Sequence, residues 1–348
     1  MMKILLNDKE CRAQLFPFSK TRHVADFRIG ILTIAEKWKL LVGKEHQVKY
    51  YESEEQDAVL IPANVIPTID NFEQLINDAK NGQLSKESES IKYIHYSWNL
   101  FQSNDWAIRK DFELLTKGRT SQPIPPHVFV VNPSNVFIEE GAELLNCSLN
   151  ASAGPIYIGK HAQVMEGAFI RGAFALGQNS VVKMGATIYG ATTIGPSCVV
   201  GGEIKNSILF EYSNKAHHGY LGDSVIGAWC NLGAGTTNSN VKNTGGSVHY
   251  SSQFDQSIID IGIKGGLLMG DYSRSAINTS FNTATTVGVC CNIFEPGFPD
   301  KNIPDFTWGA ERYDLSKALK DIANWKKMKN QLLNDQEINL LNALYSMK

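Results

Sequence analysis

Residues 158–204 read IGKHAQVMEGAFIRGAFALGQNSVVKMGATIYGATTIGPSCVVGGEI, and the spacing inside this stretch decides the fold. Ile158, Val164, Ile170, Leu176, Val182, Ile188, Ile194 and Val200 recur at one unbroken six-residue interval. Four residues after each stands a second position: Ala162, Ala168, Phe174, Ser180, Ala186, Thr192, Cys198 and Ile204, mostly small. Neither the 3.6-residue helical period nor the two-residue strand period produces this pattern. A hexapeptide β-helix does, because each six-residue unit is one short strand plus a turn, and three units close a triangular coil. The aliphatic residue points inward, and the small one fits where the interior narrows.

Working outward, the β-helix is expected to begin near Val130, with Val136, Ile138, Ala142 and Leu144 as an imperfect first coil. After Val200 the beat slips by two and is expected to resume at Ile208, placing Asn214, Tyr220, Ile226 and Leu232 in the inward slots. An interruption of this kind is where a loop or a site is expected, since regular coils carry no spare backbone. The repeat turns ragged from Ser239 to Ile258 and returns through Val289. Residues 315–344 have helical spacing and would cap the open end or grip a neighbouring subunit. Ahead of the repeat, strand-like segments at Lys3–Leu6, Val48–Tyr51 and Ala58–Ile61 alternate with helical patterns at Asn71–Lys80 and Trp98–Leu115. That alternation indicates a small α/β domain. The expected fold is therefore mainly β: a parallel β-helix over 123–308, a small α/β domain over 1–122 and a helical cap over 309–348.

The chain has 348 residues, 43% hydrophobic and 20% charged, with a formal net charge of −2. No global charge argument favours nucleic acid or an anionic membrane. The start, MMKILLNDKECRAQ, lacks the apolar core of a signal peptide, and no apolar run approaches the roughly 20 residues of a membrane span. A cytoplasmic location is expected. The six cysteines form no CxxC or His/Cys cluster, so reduced thiols and no metal site are expected.

The strongest chemical signal is Lys205–Asn240, KNSILFEYSNKAHHGYLGDSVIGAWCNLGAGTTNSN, where the register breaks. Lys205, Tyr220 and Asn240 lie about one coil apart and can approach one site along a face. This segment resembles the acetyltransferase domain of bifunctional bacterial enzymes that make UDP-N-acetylglucosamine, whose C-terminal part is a left-handed β-helix. Their pattern of a Lys-bearing strand, Lys-Ala-x-His-x-x-Tyr-Leu-Gly-Asp and Asn-x-Gly-Ala-Gly-Thr is matched by Lys205, by Lys215–Asp223 and by Asn231–Thr236. Counted back from Tyr220, His217 falls on the family's catalytic histidine. Aligned on Lys215-Ala216, His218 does so instead. The resemblance implies sugar-phosphate and sugar contacts for Lys205, Tyr220 and Asn231. It implies an acetyl-CoA pocket at Ala234 and Gly235, and a place beside the reacting groups for Asn240. Arg171 and Lys183 could assist in phosphate binding, and the amides of Gly233–Gly235 could stabilise an oxyanion. The resemblance also implies a homotrimer, with acetyl-CoA and an amino-sugar phosphate as substrates; from charge and hydropathy no nucleic-acid or membrane partner is expected.

The whole chain is similar to bacterial proteins taken as sugar nucleotidyltransferases. The similarity runs through Phe16–Trp38, Ile61-Pro-Ala-Asn64, Asp111–Arg119 and Phe306-Thr-Trp308-Gly309. Active members carry a Gly-rich phosphate loop, whereas here Leu6 is followed by Asn7-Asp8-Lys9-Glu10 with no glycine before Gly30. Arg22 and Arg28 are the candidate nucleotide-binding residues, and Mg would be required only if nucleotidyl transfer is active. Three readings result: an acetyltransferase, a sugar-1-phosphate nucleotidyltransferase using UTP or dTTP, or a non-catalytic trimer that binds a nucleotide sugar.

Overall fold

The computed structural model describes residues 2–252 and 254–347. From Phe129 onward the chain winds through short parallel strands that stack into three faces. Face one starts at Phe129–Val131, face two at Val136–Ile138 and face three at Glu143–Leu144. They form sheets of six, nine and ten strands, and the last strand of face three pairs antiparallel. Face one continues past its sixth strand, where Gly222 N–H donates to Asn238 Oδ1 at 2.9 Å and Thr237–Asn238 pairs with Ser280–Phe281. The hexapeptide period and three-faced section are those of the left-handed parallel β-helix.

The six-residue beat is the interior of this helix. All eight aliphatic residues from Ile158 to Val200 are at most 2% exposed and belong to one core cluster. They stack in register, Val164 on Val182 on Val200, and Ile170 on Ile188 on Ile204. Burying each such side chain contributes about 1.5–3 kcal/mol, so the repeat drives its own coiling.

Beyond Val200 the expected register is wrong by one position as far as Tyr220 and right again at Ile226 and Leu232, which lie in the interior. Leu209 stacks on Ile194, Lys215 on Val200 and Leu221 on Ile204, so these three point inward. Ile208, Asn214 and Tyr220 point outward instead. The cause is that Ile208 is buried from the other side. It packs in the core shared with the small domain, together with Phe210 and Val225, so apolar character marks both faces of that strand.

The coil corners explain how the rest of the chain attaches. In the lower coils a left-handed turn position holds Asn179 (φ 59°) and Ser197 (φ 59°). Higher up, the left-handed turn positions hold Tyr212 (φ 61°), Trp229 (φ 60°), Tyr272 (φ 63°) and Phe306 (φ 55°). Bulky residues are uncommon at positive φ, so other contacts must offset the strain. The C-terminal helices supply those contacts. The segment expected as one helical run divides into α4 (Leu315–Met328) and α5 (Asp335–Ser346); α1, α2 and α3 are Ile34–Val42, Phe72–Lys80 and Asn99–Thr116. Lys326 of α4 lies 4.9 Å from the Trp229 ring centroid, Tyr272 donates to Glu337 of α5 at 2.8 Å, and Phe306 meets Tyr345 edge-on at 5.0 Å.

The small domain has a three-stranded parallel sheet, ordered Gln47–Tyr50, Lys3–Asn7, Ala58–Pro62. Helix α1 begins at a Thr33–Glu36 capping box. Helix α3 lies against face two, where Asn104 Nδ2 donates to the Ala191 carbonyl at 2.8 Å and Ile108 packs on Ala173 and Ala191. Asp111 pairs with the buried Lys37 and accepts from Ile31 N–H at 2.7 Å, tying α1 and the 28–33 hairpin to α3. Phe18 and Phe27 pack on Phe210, at centroid distances of 5.5 and 6.0 Å, so this domain and the β-helix share a core.

Residues 239–266 leave the β-helix and return. They carry an antiparallel hairpin, His249–Ser251 with Ile258–Asp260, where the sequence reads only as a ragged repeat. Its Tyr250 is fully buried and stacks on Trp98 at 5.1 Å, and Trp98 stacks on Tyr96 at 4.6 Å. Face two is thus covered by the small domain and the upper part of face three by the C-terminal helices. Face one stays open, with Phe129 and Phe169 67% and 59% exposed. Among the described residues, no helix is long and apolar enough to cross a membrane.

Candidate functional site

The open face carries the candidate site. Its outward residues form two columns, because side chains alternate along each strand. One column runs Arg171 and Tyr189, then Lys205 and Gly222 in register. The other runs Phe169, Thr187, Glu203 and Tyr220. A β-carbon on Gly222 would sit 2.2 Å from the Tyr220 hydroxyl, so the Tyr220 ring leans along its strand over the glycine and above Lys205. Burial, reinforced by Asp223, Tyr189 and Glu203, pushes the Tyr220 phenol above its ordinary pKa, so it is a neutral hydrogen-bonding group at neutral pH.

At the far end of that strand Asp223 is 2% exposed and takes two amides, Asn206 Nδ2 at 2.7 Å and Asn240 Nδ2 at 2.5 Å. Asn240 is therefore fixed at the exit of face one. The 239–266 excursion is pinched shut directly behind it, where Gly265 N–H donates to the Asn240 carbonyl at 2.9 Å. Lys205, Tyr220 and Asn240, expected to share a face, are brought together there.

His217 and His218 are exposed on the corner that leads from face three into face one. This turn is held between its neighbours: Gly235 N–H donates to the His218 carbonyl at 3.0 Å, and Glu203 N–H to the Gly219 carbonyl at 3.2 Å. Any side chain at Gly219 (φ 122°) would meet the Thr236 carbonyl at 2.1 Å, so only glycine lets the turn approach this closely. Ala234 and Gly235 form the corner above the histidines. Lys183 lies below, its β-carbon 3.2 Å from where one on Gly201 would stand.

Two sequence expectations change. The amides of Gly233 and Gly235 are not free to bind an oxyanion: they donate to the Ser275 and His218 carbonyls, both at 3.0 Å. Of the three, only Ala234 N–H has no partner among the described residues. Asn231 lies on face three, apart from Lys205 and Tyr220. It accepts from Asn214 at 3.4 Å, and Asn214 in turn accepts from Lys329 at 3.0 Å.

The two arginines proposed for nucleotide binding have structural partners. Arg22 pairs with Asp271 at 2.6 Å and Glu211 at 2.8 Å, bridging the small domain to the β-helix. Arg28 is 7% exposed, donates to the Ile31 carbonyl at 2.5 Å and stands 3.5 Å from Glu36. A separate 750 Å³ cleft opens at the carboxyl ends of the Lys3–Asn7 and Ala58–Pro62 strands, lined by Asn7, Asn64, Tyr93, His95 and Tyr96. Ligands of open α/β sheets bind in this position. Sequence reading missed this cleft, as it missed the Asp223 carboxylate and the inward Lys215, because each depends on contacts between distant segments. Among the described residues, no group of three or more His, Cys, Asp or Glu side chains could hold a metal ion.

The class is therefore a hexapeptide β-helix protein with a small α/β domain packed on one of its faces. Residues 3–88 and 55–120 match the family described as sugar nucleotidyl transferase. The chain is also similar to the bifunctional protein GlmU of Methanococcus maripaludis, 35% identical over 95 residues that cover 25% of this chain and 20% of that one. A longer match is to a bifunctional sugar-1-phosphate nucleotidylyltransferase/acetyltransferase of Sulfurisphaera tokodaii, 26% identical over 243 residues, 64% of this chain and 51% of that one. The chain thus spans between a fifth and a half of these relatives' length. Among solved structures it is similar to an Arabidopsis UDP-N-acetylglucosamine acyltransferase at 15% identity and TM-score 0.32, covering 65% of this chain and 94% of that one.

Proposed function

We propose that the protein is an acyltransferase that moves an acetyl group from acetyl-CoA to the amine of a glucosamine-1-phosphate-like sugar. The observation that carries this reading is that Lys205, Tyr220 and the Asn240–Asp223 pair line the open face and its exit, with His217 exposed on the corner that enters it. The acceptor arrives as an ammonium and must lose a proton before it attacks. The His217 imidazole takes that proton, the nitrogen–carbon bond forms at the thioester carbonyl, the carbon–sulfur bond breaks, and the surplus proton on the nitrogen passes to the departing thiolate as coenzyme A is released. Lys205 would hold the phosphate, with Arg171 further down the same column and Lys183 at the edge below. Asn240, fixed by Asp223, would orient the acceptor, and Asn231 would contact the sugar from face three. Ala234 and Gly235 would line the acetyl-CoA pocket, with Ala234 N–H as the oxyanion donor.

The exposed apolar residues of face one fit a homotrimer in which a neighbouring copy completes the pocket. An acetyl-CoA-dependent enzyme with six free thiols fits the cytoplasm.

The test is thiol release from acetyl-CoA with glucosamine-1-phosphate for wild type, His217→Ala and His218→Ala. Turnover lost only in His217→Ala supports the assignment, loss only in His218→Ala moves the base to His218, and no turnover in wild type rejects it. A second reading, nucleotidyl transfer with Mg and UTP or dTTP, is favoured by the cleft at the strand ends together with the match over residues 3–120. Pyrophosphate release from UTP and a sugar-1-phosphate tests it.

A further inference from the structure

Lys215 occupies a slot that lysine does not ordinarily take. The inward positions of face three hold Val164, Val182 and Val200 in the coils below, and Leu232 in the coil above. Lys215 stands in this column at 1% exposure. Its stem fills the aliphatic slot, and its Nζ turns back to the corner, 2.5 Å from the His217 carbonyl oxygen and 3.4 Å from that of Gly201. Among the described residues no acidic side chain pairs with it, and burial pulls its pKa down to about 8.

Burying an amine costs stability unless it is hydrogen-bonded, so this group needs a reason to be there. The corner supplies one. Coils here are shortened: Ile204 follows its partner Ile188 by 16 residues where the coils below repeat at 18. The missing residues fall in the corner below, where Ile204 follows Val200 by four residues, so the His217 carbonyl above it receives no backbone N–H among the described residues, and the Lys215 amine is its hydrogen-bond donor. The backbone of the residue proposed as the base is thus held from inside the helix.

We infer that Lys215 is a positioning residue that fixes the His217 turn through the His217 carbonyl. The inference rests on the acyltransferase reading for its kinetic consequence, though not for the contact itself. Misplacing a catalytic group by about 1 Å can cost on the order of 100-fold in rate. Lys215→Met keeps the stem and removes the donor, and Lys215→Gln keeps a donor on a shorter stem.

The experiment measures kcat and KM for both substrates, together with hydrogen exchange of the 216–219 amides, in wild type and both variants. For Lys215→Met the expected result is a kcat at least 10-fold lower, both KM values within 2-fold of wild type, and exchange at the turn at least 10-fold faster with flanking strands unchanged. Lys215→Gln should recover part of each effect. A folded Lys215→Met with wild-type kcat and wild-type exchange overturns the inference. If Lys215→Met does not fold, Lys215→Gln decides: wild-type kcat and exchange in it overturn the inference, and a smaller loss of both supports it. If wild type has no acyltransferase activity, the functional reading fails by itself. The exchange data then decide the positioning role, with faster turn exchange supporting it and unchanged exchange overturning it.

Discussion

Arg22 and Asp271 stand 249 residues apart in the chain, and the guanidinium of one meets the carboxylate of the other at 2.6 Å. The contact joins the small domain to the β-helix at a point where Asp271 is buried and Arg22 is mostly shielded from solvent. Burial alone would lower the pKa of the guanidinium, but Asp271 and Glu211 outweigh it and raise the pKa, keeping the side chain charged at all accessible pH. Asp271 also accepts from Thr21 and from the Ala228 amide, both at 2.7 Å. It is therefore the fixed end of the joint.

Removing Arg22 leaves two carboxylates facing each other without a cation. Breaking a buried pair in this way costs about 3–5 kcal/mol. Arg22→Ala should lower the urea midpoint accordingly, and a loss below about 1 kcal/mol would mean the joint is looser than the geometry implies. Any loss of nucleotidyl transfer in this variant has to be read beside its stability, because the residue is committed to structure.

Lys205 and His217 should separate in kinetics. Under the proposed acyltransferase reading Lys205 binds a phosphate in ground state and transition state alike, so Lys205→Ala should raise KM for a phosphorylated acceptor by about 10–100-fold with kcat little changed. Unphosphorylated glucosamine should not distinguish the variant from wild type. A fall in kcat at constant KM would instead place Lys205 at the reacting atoms.

The interior of the β-helix was legible because nothing competes for its meaning. From Ile158 to Val200 one residue in six must be aliphatic, and the pleat leaves no alternative face for it. Reading fails at Ile208 and Leu209 because both are buried, one against Phe18 and Phe27 and the other inside. Sequence hydrophobicity cannot separate two interiors. The corner aromatics Tyr212, Trp229 and Tyr272 were opaque for a related reason. A left-handed turn favours asparagine or glycine, and the helices that offset the cost lie about 65 to 100 residues downstream. Part of the site was readable: Lys205 and Tyr220 come to one face through coil spacing alone. Asp223 was not readable as a functional group, since its meaning lies in Asn206 and Asn240 converging on it.

Lys215 makes stability depend on alkaline pH in a direction opposite to that of a salt-bridged lysine. Its folded pKa is near 8, below the roughly 10.4 of an unfolded lysine. Between these values the unfolded chain binds more protons, so stability should rise with pH through this window and the penalty remains in full below it. Lys215→Met should lose this rise. Urea midpoints at pH 7, 8, 9 and 10 check it, and a wild type whose midpoint falls as steeply as the variant's across that range rejects a depressed pKa.

Phe169 bears on assembly. Face two and the upper part of face three are packed against the chain's own small domain and helices, and face one exposes Phe129 and Phe169 beside Arg171 and Lys205. Neighbouring copies that cover this face would bury about 100 Å² of aromatic surface per ring, worth on the order of 2–3 kcal/mol at each contact. Phe169→Glu places a charge there without touching the interior, since Ile170 beside it carries the core position. The variant should keep the wild-type thermal transition of the β-helix at high protein concentration. It should sediment as a smaller species than wild type at micromolar concentration, and lose acyl transfer in proportion to the dissociated fraction. If Phe169→Glu sediments as wild type does, face one is not the contact surface, and the pocket must be complete within one chain.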